Sequence, residues 1–147
     1  MKVKIGKYPN HWPWSNWLYD KFGYSPEQKV KVHIDEWDTW SMDHTLAPII
    51  LPMLKQLKET KHGAPYVDPD DCPKDLRPKE QDEHGTDDTH FARWDWVLDE
   101  MIYAFDCKAN KDAVYMRLED KKEIDKEQKR ISNGFRLFGK YYEALWD

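Results

Sequence analysis

The sequence predicts a mainly α single domain, with three principal helices over about 38–61, 87–106 and 115–146 and a small β ribbon at the N-terminal end. Two patterns carry this. Apolar residues recur at steps of three and four in three long stretches, and they alternate with lysine in two short ones. A third observation excludes disorder: mean hydropathy is −0.97, yet the chain holds eight Trp, eight Tyr and five Phe. Disordered segments are poor in aromatics, because each brings a large area that leaves water on folding.

Met1 to Ile5 (MKVKI) and Lys29 to Ile34 (KVKVHI) both alternate, with Val30, Val32 and Ile34 on one side of the second. They suit a two-stranded ribbon, which is marginal alone and needs helices to pack on. Between them, YPNHWPWSNWLYDKFGYSP sets Trp12, Trp14, Trp17, Tyr19, Phe22 and Tyr24 among turn-forming residues. An aromatic box for a ligand fits this composition, but ordinary burial tendencies favour a cap over one end of the core.

The first long helix has Asp38 or Thr39 as its cap and a stripe of Met42, Leu46, Ile49, Ile50, Met53, Leu54 and Leu57. Lys55, Lys58 and Lys61 stand near its negative end, and Gly63 is a natural stop. Pro48 and Pro52 each remove a donor and crowd the carbonyl four residues back, so a kink or break is expected between Thr45 and Pro52. Residues 63–85 lose all apolar period and read as a long, acidic, Pro-rich surface loop. Asp68, Asp70, Asp71 and Asp75 resemble a calcium loop, but the central Gly and closing Glu are missing, so a solvated loop is the better reading.

The central helix organises the chain. Thr86, Asp87, Asp88 and Thr89 are candidate N-caps, and Phe91, Trp94, Val97, Leu98, Met101, Ile102 and Phe105 share one broad face. Trp96 and Tyr103, seven apart, fall on a second face, so this helix is expected to pack on two sides. The last helix carries a stripe of Ile124, Ile131, Phe135, Phe138, Tyr142 and Leu145 against a solvated face of paired charges from Glu119 to Arg130. Its Asn133-Gly134 and Gly139 either admit a close helix contact or mark a break.

At 147 residues the chain fits one domain that can bury a core without staples. A net charge of −5 gives no general attraction to nucleic acid and argues against it as a partner. Cys72 and Cys107 form no CxxC pair, which excludes a cysteine zinc site. With no apolar run near 18 residues and no signal segment, a soluble, intracellular chain with reduced thiols and no membrane partner is expected.

No phosphate-binding, dinucleotide-binding, nucleophile-elbow or HExxH motif is present. Acids and histidines do gather near helix starts: Asp35, Asp38, Asp43 and His44 in one cluster, and Asp87, Asp88, His90 and Asp95 in another. Were those helix starts adjacent, Asp43, His44, Asp87, Asp88 and His90 would form an oxygen-and-imidazole site for a divalent metal ion. Capping alone explains acids at helix starts more cheaply. An all-α nucleotide pyrophosphatase would need doubled acids on two helices; Asp95, Asp99 and Glu100 facing Glu119 and Glu123 supply only part of that pattern.

The stretches IDEWDTWSMDHTLAPIILPMLKQLKETKHG, TDDTHFARWDWVLDEMIYAF and ISNGFRLFGKYYEALWD resemble a family of small uncharacterised proteins of tailed bacteriophages, especially marine T4-like ones. The resemblance covers most of the chain beyond about Val32. It implies a viral origin and a host-cytoplasm or virion setting, with no catalytic residue to carry over.

The expected function is therefore that of a non-enzymatic phage accessory or protein-interaction protein. It needs no cofactor and meets a partner, or a second copy of itself, through Trp96 and Tyr103. The alternative is a metal-dependent hydrolase acting on nucleotides or nucleic acid through the Asp43, His44, Asp87, Asp88 and His90 cluster.

Overall fold

A computed structural model of the chain describes residues 1–7, 14–23, 27–78, 87–110 and 120–146. They form two compact units, Met1–Met42 and Asp43–Asp147. The fold is mainly helical with a small two-stranded antiparallel sheet near the N-terminus, as the periodicities predict.

In the first unit, β1 (Lys2–Ile5) pairs with β2 (Val30–His33). The register sets Val3 opposite Val32 and Ile5 opposite Val30, with Lys2 opposite His33 and Lys4 opposite Lys31 on the other face. A short helix, α1 (Ser15–Phe22), lies between them and stops at Gly23, whose φ of 62° suits only glycine at no steric cost. Eight residues give barely two turns of period, so the sequence pattern does not announce this helix. Trp14, Trp17, Tyr19 and Phe22 are about half exposed or more, and Trp12 and Tyr24 lie outside the described residues. Residues Glu36–Thr39 form a 3-10 turn, in which the Asp35 N–H donates to Asp38 Oδ2 at 2.8 Å. Asp38 therefore closes a turn, and the following helix starts at Met42 rather than near 38.

The helix α2 (Met42–Thr60) runs unbroken through Pro48 and Pro52, contrary to the expected break. Both prolines are exposed, as is His44, so the carbonyls they orphan on His44 and Pro48 face the solvent side, where hydration replaces the lost bonds. Its buried residues are Ala47, Leu51 and Leu54, whereas Met42, Leu46 and Met53 of the expected stripe are exposed. The seam is narrower than the pattern suggested and centres on Ala47, Leu51 and Leu54.

The core is built on α3 (His90–Ala109). Trp94, Val97, Leu98 and Met101 are fully buried, while Phe91, placed in the same stripe by spacing, is 52% exposed. The last helix, α4 (Lys121–Lys140), is continuous through Asn133 and Gly134. Residues 111–119, and with them Met116 and Glu119, lie outside the described residues. Phe105 of α3 meets Phe135 and Phe138 edge-on at 5.1 and 4.8 Å. A Cβ on Gly134 would overlap the Glu100 carbonyl oxygen and lie 2.6 Å from Ala104 Cβ, so the glycine is what permits this approach.

The segment after α2 is not a solvated loop over its described part. Val67 is 1% exposed, Cys72 and Asp71 are buried, and two 3-10 turns run over Pro69–Asp71 and Lys74–Leu76. Asp71 accepts from Arg136 (2.7 Å) and the Tyr141 hydroxyl (2.8 Å), with Lys140 Nζ 2.5 Å away, while Asp68 N–H donates to the same hydroxyl at 3.0 Å. These donors outweigh the burial that would raise the Asp71 pKa and hold it below its ordinary value; burial pushes Tyr141 up to about 12. Residues 79–85 and Thr86 lie outside the described residues.

Candidate interaction groove

Helices α2 and α3 run antiparallel, as their ion pairs show. Lys55, Lys58 and Lys61 pair with Asp106, Asp99 and Asp95 at 3.5, 2.5 and 2.6 Å, and Asp43 pairs with Lys108 at 2.8 Å. Rising numbers on one helix meet falling numbers on the other. The lysines near the end of α2 thus meet aspartates as well as the helix dipole.

On the face of α3 between α2 and α4 lies a shallow groove of about 570 Å³ that contains both Trp96 and Tyr103. The two aromatics are half-buried, and Trp96 and Ile102 pack on the core beneath. Lys55 and Asp106 form one margin, Arg130 and Glu100 the other. Arg130 holds Glu100 through Nε and Nη2, at 3.1, 3.1 and 2.8 Å, and its guanidinium stacks 3.7 Å from the Tyr103 ring centre. The Tyr103 hydroxyl donates to Glu127, which keeps the phenol protonated far above its ordinary range. Every charge on the margins is thus met within the protein, while the aromatic floor stays partly open.

The five residues considered for a metal do not come together. His44 Nδ1 donates to the Lys108 carbonyl at 2.9 Å, and Lys108 draws Asp43 below its ordinary pKa, so both sit at the C-terminal end of α3. Asp87 and His90 sit at its N-terminal end, eighteen residues or about 27 Å away. There Asp87 accepts from the Thr89 N–H (2.8 Å) and pairs with Arg93 at 2.6 Å. His90 Nε2 donates to the Ala64 carbonyl at 3.0 Å, and Asp88 is exposed. Among the described residues, no three or more His, Cys, Asp or Glu side chains form a metal-holding group. Nor do the acids set out for a pyrophosphatase meet other acids: Asp95 and Asp99 face lysines, and Glu100 faces Arg130.

Sequence reasoning found the two aromatics by their spacing but missed Arg130 and Glu127, which it assigned to a solvated charged face, and considered Glu100 only as a pyrophosphatase acid. The available signal was the pair Glu127 and Arg130, three apart on one face of α4 beside the apolar stripe. Among the described residues, no helix is long and apolar enough to cross a membrane. Comparison with protein-family models, with curated proteins and with solved structures returns no match.

Proposed function

We propose that this chain is a non-enzymatic accessory protein of a tailed phage that works by protein–protein contact, with the Trp96–Tyr103 groove as its contact surface. One observation carries the reading: Trp96, Tyr103 and Arg130, the residue types that dominate binding hot spots, line the same groove. Its margins are polar and internally paired, as the rim of an interface is, and its floor is aromatic. Such a surface wants an apolar anchor from its partner rather than a countercharge. A second copy of the chain is the simplest occupant, each groove receiving the other's Trp96 about a twofold axis.

Light scattering across a wide concentration range tests this. The expected result is a concentration-dependent dimer that Trp96→Ala and Tyr103→Ala weaken without unfolding the monomer. A strict monomer at every concentration, with nothing retained from phage-infected cells by the wild-type chain that the two variants fail to retain, would overturn the reading.

A further inference from the structure

The β ribbon of the first unit is two-faced. Val3, Ile5, Val30 and Val32 share one face; Lys2, Lys4, Lys31 and His33 share the other. The Gly6 N–H donates to the Lys29 carbonyl at 2.9 Å, which carries the register one step further and adds Lys29 to the basic face by alternation. Residues 1–7 and 27–34 together hold five lysines and a single glutamate, against a whole-chain net charge of −5. The overall acidity hides a local cationic surface.

This surface is unfavourable in isolation. Lys4 stands directly across from Lys31, and like charges in that position destabilise a strand pair. A two-stranded ribbon has little stability to spare. The nearby acids do not relieve it: Asp35 is taken by the Met1 amine and His33, and Asp38 by the same amine. Lys2, Lys4, Lys29 and Lys31 are all exposed, and among the described residues none forms an ion pair. A polyanion laid along the face would reverse the sign of the repulsion.

We propose that the lysine face of the β1–β2 ribbon, built from Lys2, Lys4, Lys29 and Lys31, seats in the major groove of duplex DNA and holds it through the phosphates without reading sequence. The shape fits, because the B-form major groove admits a two-stranded β ribbon. The face carries no Trp, Tyr or Phe on which unpaired bases would stack, and its one imidazole, His33, is tied to Asp35 at 3.1 Å, which disfavours a single strand. It carries no Asn, Gln or Arg for bidentate contacts to base edges, and its lysines act as flexible point charges that favour phosphates over one fixed sequence. Duplex RNA presents a deep, narrow major groove that would not take the ribbon. The proposal is independent of the Trp96–Tyr103 reading, which concerns other residues.

The test is fluorescence anisotropy of the full chain with a labelled random-sequence DNA duplex, its single strand and the matching RNA duplex. Four phosphate contacts predict a slope of log affinity against log salt of about −3.6, or roughly 100-fold weaker binding between about 50 and 200 mM salt. The double variant Lys4→Gln/Lys31→Gln should halve that slope, leaving roughly tenfold weakening, and Lys2→Gln/Lys29→Gln should do the same. Two independent pairs keep the test decisive if one disturbs the ribbon, which circular dichroism reports. A charge-matched control away from the ribbon, Lys121→Gln/Lys122→Gln on the exposed start of α4, should leave the slope unchanged. Absence of duplex binding at low salt, an unchanged slope in the folded ribbon variants, equal or tighter binding of the single strand or RNA duplex, or an equal fall in slope in Lys121→Gln/Lys122→Gln would each overturn the assignment.

Discussion

The guanidinium of Arg130 lies 3.7 Å from the centre of the Tyr103 ring while its nitrogens hold both oxygens of Glu100. One side chain from α4 thus covers an aromatic and neutralises a nearly buried acid on α3. Arg130→Ala leaves both without a partner, and a loss of about 1–3 kcal/mol is expected in urea denaturation. Arg130→Lys keeps the charge but not the planar fork, and should recover less than half of that loss.

Trp94 and Trp96 separate core from surface. Trp94 is fully buried against Tyr141, with ring centres 5.9 Å apart, so Trp94→Ala should cost about 3–5 kcal/mol through the cavity it opens. Half-buried Trp96 loses less apolar area on truncation, and Trp96→Ala should cost roughly 1–2 kcal/mol. Denaturation of both variants at low protein concentration checks the order; equal losses would make Trp96 a core residue and remove it from the contact surface.

The Asp87–Arg93 pair predicts an acid-side signature. Arg93, with help from the Thr89 hydroxyl and N–H, holds the Asp87 carboxyl far below its ordinary pKa. The unfolded chain, with a carboxyl pKa of about 3.9, takes up this proton first as pH falls. Its contribution to stability is therefore complete above that value and lost progressively below it. Urea midpoints for wild type and Asp87→Asn should differ most at neutral pH and converge as the pH drops below about 3.

Tyr141→Phe tests how the segment after α2 is held. The lost hydroxyl orphans the Asp68 N–H and removes one of the donors to buried Asp71. A loss of about 1–3 kcal/mol is expected, with amide exchange rising over residues around Val67 to Cys72 while the α3 core stays protected.

Much of this architecture was legible in the sequence. The lysine–valine alternation marked both strands of the ribbon, though not their register, and the three-and-four spacing of Trp94, Val97, Leu98 and Met101 defined the core helix. What escaped has a common cause. Val67 and Asp71 look like loop residues because the partners that bury them, Arg136, Lys140 and Tyr141, stand about seventy positions away. Phe91 and Met53 fit a stripe by period but face outward, since spacing gives a face and not its orientation toward a neighbour. In the groove, Trp96 and Tyr103 were readable as a second face of α3. Arg130 and Glu100 were not, because a surface charge and a half-buried pair have the same one-letter pattern.

Glu100 is engaged twice by α4, and one helical turn separates the two contacts. Its backbone carbonyl lies under Gly134, and its carboxylate is held by Arg130 four residues earlier. Sliding α4 by four residues would bring Arg130 or Phe138 to the slot that admits only glycine, and sliding it by three would bring Ile131 or Leu137. None of these fits where even a methyl overlaps, and three of the four slides put Gly134, Glu127 or Asn133 where Arg130 holds Glu100. The joint between the two helices is therefore keyed: a greasy stripe alone would tolerate several registers, whereas this one accepts a single axial position.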